Sequence, residues 1–261
     1  MAEQGLVVVA GLGEVGSPLF HILSRTYECA GIDIEPVVID APVLALHICY
    51  PFQIPGFTAV TAEYIRRLRP GLTIVHSTVP PGTTREIGRI AGDCAIAFSP
   101  VRGKHIRMEQ EMLRYRKFVA APQTSAMQAA TDHLGQAGFC TATLPTPELA
   151  ELAKLLETTY LGVLIAWAQE MERLAAQYEG SFSDVNRFIE EIDFLPSHIF
   201  PGAIGGHCVL PNIELLRSRV ESQFLDLVVE SNALKQQAQS AVCTGAANDQ
   251  DRTDRVGVLG A

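Results

Sequence analysis

Residues 6–16 read Leu6-Val7-Val8-Val9-Ala10-Gly11-Leu12-Gly13-Glu14-Val15-Gly16 and decide the fold of this chain. A run of β-branched residues leads into a G-x-G-x-x-G turn, and residues 17–24 are typical of a helix. A second strand, predicted over residues 29–34, carries Asp33 near its end, about 20 residues after the glycines. This order indicates a Rossmann-type βαβ unit, in which a strand, a glycine turn and a helix are followed by a second strand with an aspartate near its end.

This βαβ unit predicts an NAD site. Its glycines, Gly11, Gly13 and Gly16, allow the backbone to approach a pyrophosphate, and the following helix offers free N–H groups at its positive end. Asp33 would accept hydrogen bonds from the ribose hydroxyls and repel a 2′-phosphate, which favours NAD over NADP. The alternatives are a glycine turn that binds nothing and a solvated acid at a strand end. The expected cofactor contacts in this half are Gly11, Leu12, Gly13, Glu14, Val15, Gly16, Asp33 and Tyr50.

Strands and helices alternate through the first half of the chain. Further strands are predicted over residues 43–50, 72–76 and 95–98, with a helix over residues 61–68. This alternation predicts an α/β fold with a doubly wound parallel sheet. Only about eight residues separate the second and third strands, too few for a crossover helix. We therefore expect an abbreviated Rossmann-type sheet.

The second half is predicted to be helical. Pro145-Thr146-Pro147 marks the expected boundary between an NAD-binding domain, residues 1–145, and a helical dimerisation and catalytic domain, residues 146–243. The long helix expected over residues 148–178 is apolar on two faces, so it should be buried between domains or between subunits, and we favour a homodimer. Further helices are expected over residues 184–192 and 213–237, and the polar tail 244–261 is expected to be disordered.

Composition excludes several function classes. The chain has 261 residues and a formal net charge of −9, with no block of basic residues, so nucleic-acid binding is not expected. The six cysteines include no C-x-x-C pair, which argues against a zinc site and a disulfide framework and fits a cytoplasmic protein. No apolar stretch approaches the roughly 20 residues of a membrane helix, and the first residues lack the positive start of a signal peptide.

Four motifs, in this order, resemble the UDP-glucose/GDP-mannose dehydrogenase family. They are the glycine turn extended to Pro18, the segment Ser77-Thr78-Val79-Pro80-Pro81-Gly82-Thr83-Thr84, the helical Lys154-Leu155-Leu156-Glu157, and Gly205-Gly206-His207-Cys208. The resemblance runs from about residue 6 to about residue 237. It implies oxidation of the C6 alcohol of a nucleotide sugar to a carboxylate with two NAD molecules, through a thioester on cysteine.

The resemblance also implies roles for individual residues. Cys208 would be the nucleophile, Lys154 its electrostatic or acid–base partner, and Ser77 and Thr78 would line the nicotinamide end. A thiol in a glycine-rich loop is accessible, and a nearby ammonium stabilises its thiolate. The alternative interpretation of Cys208 is a small apolar filler.

Several positions depart from the family pattern. Val101 replaces a glutamate, Thr158 an asparagine, and Pro211-Asn212 the usual Lys-Asp pair after the cysteine. Asn212 cannot act as a general base at neutral pH. The family's C-terminal nucleotide-sugar-binding domain is also not expected in this sequence.

The sequence therefore predicts an NAD-dependent oxidoreductase of altered or reduced activity. The alternatives are a non-catalytic NAD-binding dimeric module and an enzyme that a partner chain completes. Arg102, Lys104 and His105 are candidates for replacement polar groups, although solvated loop charges are the favoured interpretation. For His207, a loop side chain with a local hydrogen bond is at least as good an interpretation as a catalytic role. No metal is expected.

Overall fold

The structure is a computed structural model that describes residues 5–34, 37–92, 94–103, 107–193, 195–196, 198–206 and 208–256, with side chains as far as residue 241. The chain divides into two compact units, Met1–Leu155 and Leu156–Ala261. The expected boundary at residues 145–147 lies just before the long helix α6, Pro147–Gln177, whereas the division between the units falls within that helix.

A parallel sheet forms the centre of the first unit, as predicted. Its described strands follow the order β2-β1-β3-β4-β5, the order of a doubly wound fold. They are β1 Leu6–Ala10, β2 Cys29–Ile32, β3 Val43–Ile48, β4 Leu72–Val75 and β5 Ile96–Phe98.

Both faces of this sheet are buried. Val7 and Val9 of β1 join an apolar core with α1 (Gly16–Leu23), α4 (Met108–Arg114) and α5 (Thr124–Gln136). The neighbouring side chains along β1 join a second core with α2 (Phe57–Leu68) and α3 (Thr83–Ala91). Burial on both faces explains why the strands have continuous rather than alternating apolar residues.

The connection between β2 and β3 is short, which confirms the abbreviated βα unit. Among the described residues between Ile32 and Val43 there is no helix. A separate parallel pair, β6 (Lys117–Val119) and β7 (Thr141–Thr143), meets the main sheet through the antiparallel bridge between Phe98 and Ala120.

The second unit is helical, as predicted, but the prediction of one of its helices was wrong. The segment expected as a single helix over residues 213–237 consists of α8, Val209–Arg217, and α9, Gln223–Val256. α9 also continues into the tail from Thr244, where the sequence predicts disorder. The remaining helix, α7 (Phe182–Glu190), begins at a capping box formed by Ser181 and Asp184.

Candidate active site

The three glycines of the first turn have three different structural roles. Gly11 has a φ of 90°, and a Cβ there would lie 2.5 Å from the Tyr50 backbone nitrogen. At Gly16 a Cβ would lie 1.7 Å from the Gly11 carbonyl oxygen, so only glycine lets α1 pack this closely on the turn. A Cβ on Gly13 would meet no atom within 4 Å. The position expected to face the pyrophosphate is thus open, whereas the other two are closely packed.

Asp33 lies at the edge of the sheet where this turn begins. The Gly11 amide donates to the Ile32 carbonyl oxygen at 2.8 Å, and Asp33 is the next residue. Its side chain is exposed, as are Gly13 and Glu14, while Leu12 packs over Gly31 of β2. The acid and the glycine turn are therefore adjacent on the carboxyl edge of β1 and β2.

Ser77 and Tyr50 connect the next two strand ends. The Ser77 hydroxyl donates to the Tyr50 carbonyl oxygen at 2.6 Å. The Tyr50 hydroxyl lies 2.6 Å from Thr61 Oγ1, and burial raises the pKa of this phenol above its usual range. Thr78 follows, half-buried. The Tyr50 side chain thus packs toward α2, and Ser77 holds the β3 and β4 loops together.

A buried carboxylate joins the start of α6 to α3. Glu151 accepts hydrogen bonds from the Gly82 and Thr84 amides at 2.6 and 2.8 Å and from the Thr84 hydroxyl at 2.7 Å. Burial raises its pKa to about 7, against the effect of these hydrogen bonds. Lys154 follows three residues later on the same helical face and is half-buried. Glu151 therefore fixes the helical turn that carries Lys154.

Cys208 lies at the N-terminal end of α8 in the second unit. It is a half-buried cysteine that forms no disulfide and is the N-cap residue of that helix, a position where the N–H groups of the first turn stabilise a thiolate. A Cβ on Gly162 of α6 would lie 2.9 Å from Val209, so this glycine lets α8 pack closely on α6. Asn212 is buried there and donates to Thr158 Oγ1 at 3.1 Å. Two of the predicted residues, Asn212 and Thr158, are thus brought into contact.

Buried amides hold the loop before Cys208, and the sequence interpretation missed them. Asn232 of α9 accepts from the Ile204 amide at 2.7 Å and donates to its carbonyl oxygen at 3.3 Å. Gln169 of α6 donates to the Gly202 carbonyl oxygen at 2.8 Å and accepts from Ser231 at 2.8 Å. Polar residues within apolar helices were the available signal. They fix the glycine-rich loop that leads to the cysteine.

A second group missed by the sequence interpretation is buried in the first unit. His47 of β3, His76 after β4, His133 of α5 and Lys117 of β6 lie in hydrogen-bonding contact with one another. Burial lowers the pKa of all three imidazoles and lowers that of Lys117 to about 7. A histidine within the apolar run of β3 was the only sequence signal.

Of the side chains that the sequence suggests as replacement polar groups, only Arg102 lies among the described residues. Lys104, His105 and His207 lie outside the described residues. Arg102 places its guanidinium over the rings of Tyr115 and Phe118, at 5.7 and 5.8 Å from the ring centroids. Val101 is buried in the first apolar core, so the position where the family has a glutamate is here part of the packing.

The described residues contain neither a metal-binding cluster nor a membrane-spanning helix. No group of three or more His, Cys, Asp or Glu side chains within them is arranged to hold a metal ion. None of the helices in the same part of the chain has the length and apolarity needed to cross a membrane.

Sequence comparison confirms the resemblance found in the motifs. Residues 148–236 match the central domain of the UDP-glucose/GDP-mannose dehydrogenase family. A curated relative, the UDP-N-acetyl-D-mannosamine dehydrogenase of Pyrococcus horikoshii, is 27% identical over 165 residues. The match covers 60% of this chain and 40% of that protein, so it spans less than half of the relative's length.

Structure comparison supports the fold. The UDP-D-ManNAc dehydrogenase structure from Pyrococcus horikoshii matches with a TM-score of 0.79 at 19% identity, over 95% of this chain and 72% of that chain. The 3-hydroxyisobutyrate dehydrogenase structure from Mycobacterium tuberculosis matches with a TM-score of 0.65 at 16% identity, over 91% of this chain and 94% of that one.

Proposed function

From its resemblance to the UDP-glucose/GDP-mannose dehydrogenase family, we propose that this chain is an NAD-dependent oxidoreductase that acts on an alcohol or aldehyde group, with a nucleotide sugar as the substrate class. The observation that carries the proposal is the glycine turn, which is closed at Gly11 and Gly16, open at Gly13 and adjacent to Asp33. We expect a cytoplasmic homodimer.

NAD would supply the hydride acceptor for each oxidation. The backbone of Gly13 and the first amides of α1 would bind the pyrophosphate, and Asp33 would bind the adenosine ribose. The Ser77 and Thr78 segment would lie at the nicotinamide end, held by the hydrogen bond from Ser77 to the Tyr50 carbonyl oxygen.

The proposed chemistry assigns the first proton to Lys154. Its amine takes the hydroxyl proton as the alcohol carbon loses a hydride, which leaves an aldehyde. The Cys208 thiolate then adds to the aldehyde carbon, and loss of a second hydride leaves a thioester. Cys208 suits this role because it occupies the N-cap position of α8, where the positive end of the helix would stabilise a negatively charged sulfur.

The last step, hydrolysis of the thioester, is expected to be slow. It needs a base to take a proton from water, and Asn212 stands where the family has a carboxylate. The Asn212 amide donates to Thr158, so it can orient a water molecule but cannot take its proton. Loss of a general base commonly costs about 100- to 10,000-fold in rate, so an acyl-enzyme should accumulate.

The test is a substrate screen with two readouts. Nucleotide sugars and simpler alcohols and aldehydes are incubated with NAD, NADH formation is followed, and mass spectrometry locates any adduct. We expect NADH and an adduct on Cys208, both lost in Cys208→Ala and retained in Cys140→Ala, which changes an exposed free cysteine. Rapid multiple turnover to a carboxylate would show that another residue supplies the base.

The same screen tests the non-catalytic alternative. The engagement of Asn212 with Thr158 and the burial of Val101 favour a chain that keeps the fold for regulation or assembly. If no substrate yields NADH and Cys208 reacts with alkylating reagents no faster than Cys140, the chain is an NAD-binding module, or an enzyme that needs a partner chain.

A further inference from the structure

Three histidines of the first unit form a continuous hydrogen-bonded chain. His133 Nε2 lies 3.0 Å from His47 Nε2, and His47 Nδ1 lies 2.9 Å from His76 Nε2. At its inner end, His76 Nδ1 lies 2.6 Å from the Ser99 carbonyl oxygen. Of the three residues, His133 has the largest exposed fraction, 7%, and His47 is fully buried. The chain thus leads from near the surface into the protein.

One contact determines which ring nitrogen carries the hydrogen in each of the three histidines. A carbonyl oxygen can only accept, so His76 Nδ1 carries a hydrogen toward Ser99. Burial keeps the imidazole neutral, so His76 Nε2 must accept from His47 Nδ1. By the same reasoning His47 Nε2 accepts from His133 Nε2. All three donors therefore point inward.

Lys117 lies at the inner end of this chain. Its Nζ lies 2.8 Å from the Ser99 carbonyl oxygen, 3.0 Å from that of Pro100 and 3.2 Å from His76 Nδ1. A neutral amine fits these contacts, because it donates to both carbonyl groups and keeps a lone pair toward the hydrogen on His76. An ammonium would need His76 Nδ1 as an acceptor.

We propose that His133, His47 and His76 form a proton relay between the protein surface and Lys117. A proton that binds His133 Nδ1 lets His133 pass its Nε2 proton to His47. His47 passes its Nδ1 proton to His76, and His76 passes its Nδ1 proton to the Lys117 amine. Each imidazole gains one proton and gives one away, so only Lys117 gains charge and the solvent loses one proton. The reverse sequence discharges Lys117.

Lys117 is electrostatically coupled to Lys154 within the same unit. Burial, together with a smaller effect of a positive charge on Lys154, lowers the pKa of Lys117 to about 7, whereas a thiolate at Cys49 would raise it. A proton that reaches Lys154 from an oxidised alcohol would therefore drive a proton from Lys117 to solvent through the histidines. This use of the relay rests on the proposed function, whereas the relay itself does not.

Among the described residues, few other titratable side chains lie near the three histidines and Lys117. Burial raises the pKa of Cys49 to about 12, so its thiol stays neutral. Tyr27 stacks on His133 with ring centroids 4.6 Å apart, and its hydroxyl donates to the His133 carbonyl oxygen at 2.8 Å. Burial also raises the pKa of this phenol. Lys154 is the third group and lowers the pKa of Lys117. Neither Cys49 nor Tyr27 gains or loses a proton near pH 7.

Nitrogen-15 NMR of the imidazoles in the full chain tests the relay without substrate or NAD. Above neutral pH we expect hydrogens on His47 Nδ1, His76 Nδ1 and His133 Nε2. As Lys117 takes up a proton, all three tautomers should reverse together, because each ring has passed a proton inward. In His133→Phe, proton exchange between Lys117 and solvent should slow by at least an order of magnitude.

Tyr27→Phe is the matched control, since it removes a hydroxyl beside His133 and keeps the imidazole. It should leave the tautomer reversal and the exchange rate unchanged. His133→Gln serves if the phenylalanine variant does not fold, and the wild-type tautomers alone decide if neither does. Tautomers that stay fixed while Lys117 titrates would overturn the relay, as would unchanged Lys117 exchange in both His133 variants. Absence of dehydrogenase activity would leave these results standing.

Discussion

At the scale of single residues, a substitution at Gly16 should affect folding stability, whereas one at Gly13 should affect cofactor binding. A methyl group at Gly16 would overlap the Gly11 carbonyl oxygen, whereas one at Gly13 would enter open space. Gly16→Ala should therefore lower the free energy of unfolding by about 1–3 kcal/mol or more, since about 1–3 kcal/mol is the usual cost of overpacking. Gly13→Ala should keep the wild-type melting temperature and weaken NAD binding, because the methyl group blocks the approach of the pyrophosphate.

Thermal melts and NAD titrations of both variants provide the check. Equal melting temperatures for Gly16→Ala and the wild type would show that the turn is not packed as described. Unchanged NAD affinity in Gly13→Ala would place the cofactor elsewhere.

Asp33 is predicted to set the choice between the two dinucleotides. Its exposed carboxylate follows Ile32 beside the glycine turn, where it would accept from ribose hydroxyls and repel a 2′-phosphate. Asp33→Ala should weaken NAD binding and narrow the preference over NADP, as measured by calorimetry. Asp40→Ala, which changes an exposed acid seven residues further along the chain, should change neither affinity. Equal affinity of the wild type for both cofactors would contradict this role.

At the scale of elements, the start of α6 depends on one carboxylate. Glu151 accepts from two backbone amides at the start of α3, and a glutamine can accept through only one oxygen. Glu151→Gln should therefore leave a buried donor unpaired and cost about 1–3 kcal/mol of stability in urea titrations. Glu148→Gln, which breaks an exposed ion pair with Arg85, should cost about 0–1 kcal/mol. Equal losses of stability in the two variants would show that Glu151 does not hold the amides at the start of α3.

Element boundaries show where sequence patterns were sufficient. The β1 strand, the glycine turn and α1 were predicted closely, because apolar runs and glycines act over a few residues. The break between α8 and α9 was missed because residues 217–223 contain neither glycine nor proline. An ion pair between Arg217 and Asp226 at 2.9 Å spans this break, and such a contact exists only once the chain has turned.

At the scale of the whole molecule, the buried histidines predict instability in acid. Burial lowers the folded-state pKa of His47, His76 and His133 below the ordinary value near 6.5, to about 4 for His133. The unfolded chain then binds more protons below pH 6.5, so stability is present above that pH and is lost as the pH falls toward the folded values. Between pH 7 and pH 5, His133 alone should cost about 2 kcal/mol of stability, and His47 and His76 should add to this loss. Glu151, whose pKa in the folded state is raised to about 7, takes up a proton over the same range and offsets part of the loss.

Urea titrations across this range measure the slope of stability with pH. His47→Gln should reduce the slope by about one proton, while His198→Gln, which changes an exposed histidine, should leave it unchanged. A stability independent of pH between 7 and 5 would mean that the three histidines are not buried in neutral form.

The surface of the second unit predicts a dimer. Leu156, Leu161, Trp167 and Leu174 of α6 each keep 42–57% of their accessible surface in the single chain. Light scattering should therefore report twice the chain mass, and Trp167→Lys should shift the protein toward monomer. Val60→Lys, on α2 of the first unit, should leave the mass unchanged. A wild-type monomer would show that these side chains stay exposed.

The sequence alone determined the fold class, the glycine turn with Asp33, and the family resemblance, because each depends on neighbouring residues or on a short spacing. Only the tertiary structure decided the contacts among His47, His76 and His133, whose partners lie 29 and 86 residues apart in the chain. The cap that Glu151 forms on Thr84 and the pairing of Asn212 with Thr158 are of the same kind. The physical reason is that a buried polar side chain takes its partner from whichever distant segment packs against it, and no local pattern encodes that segment.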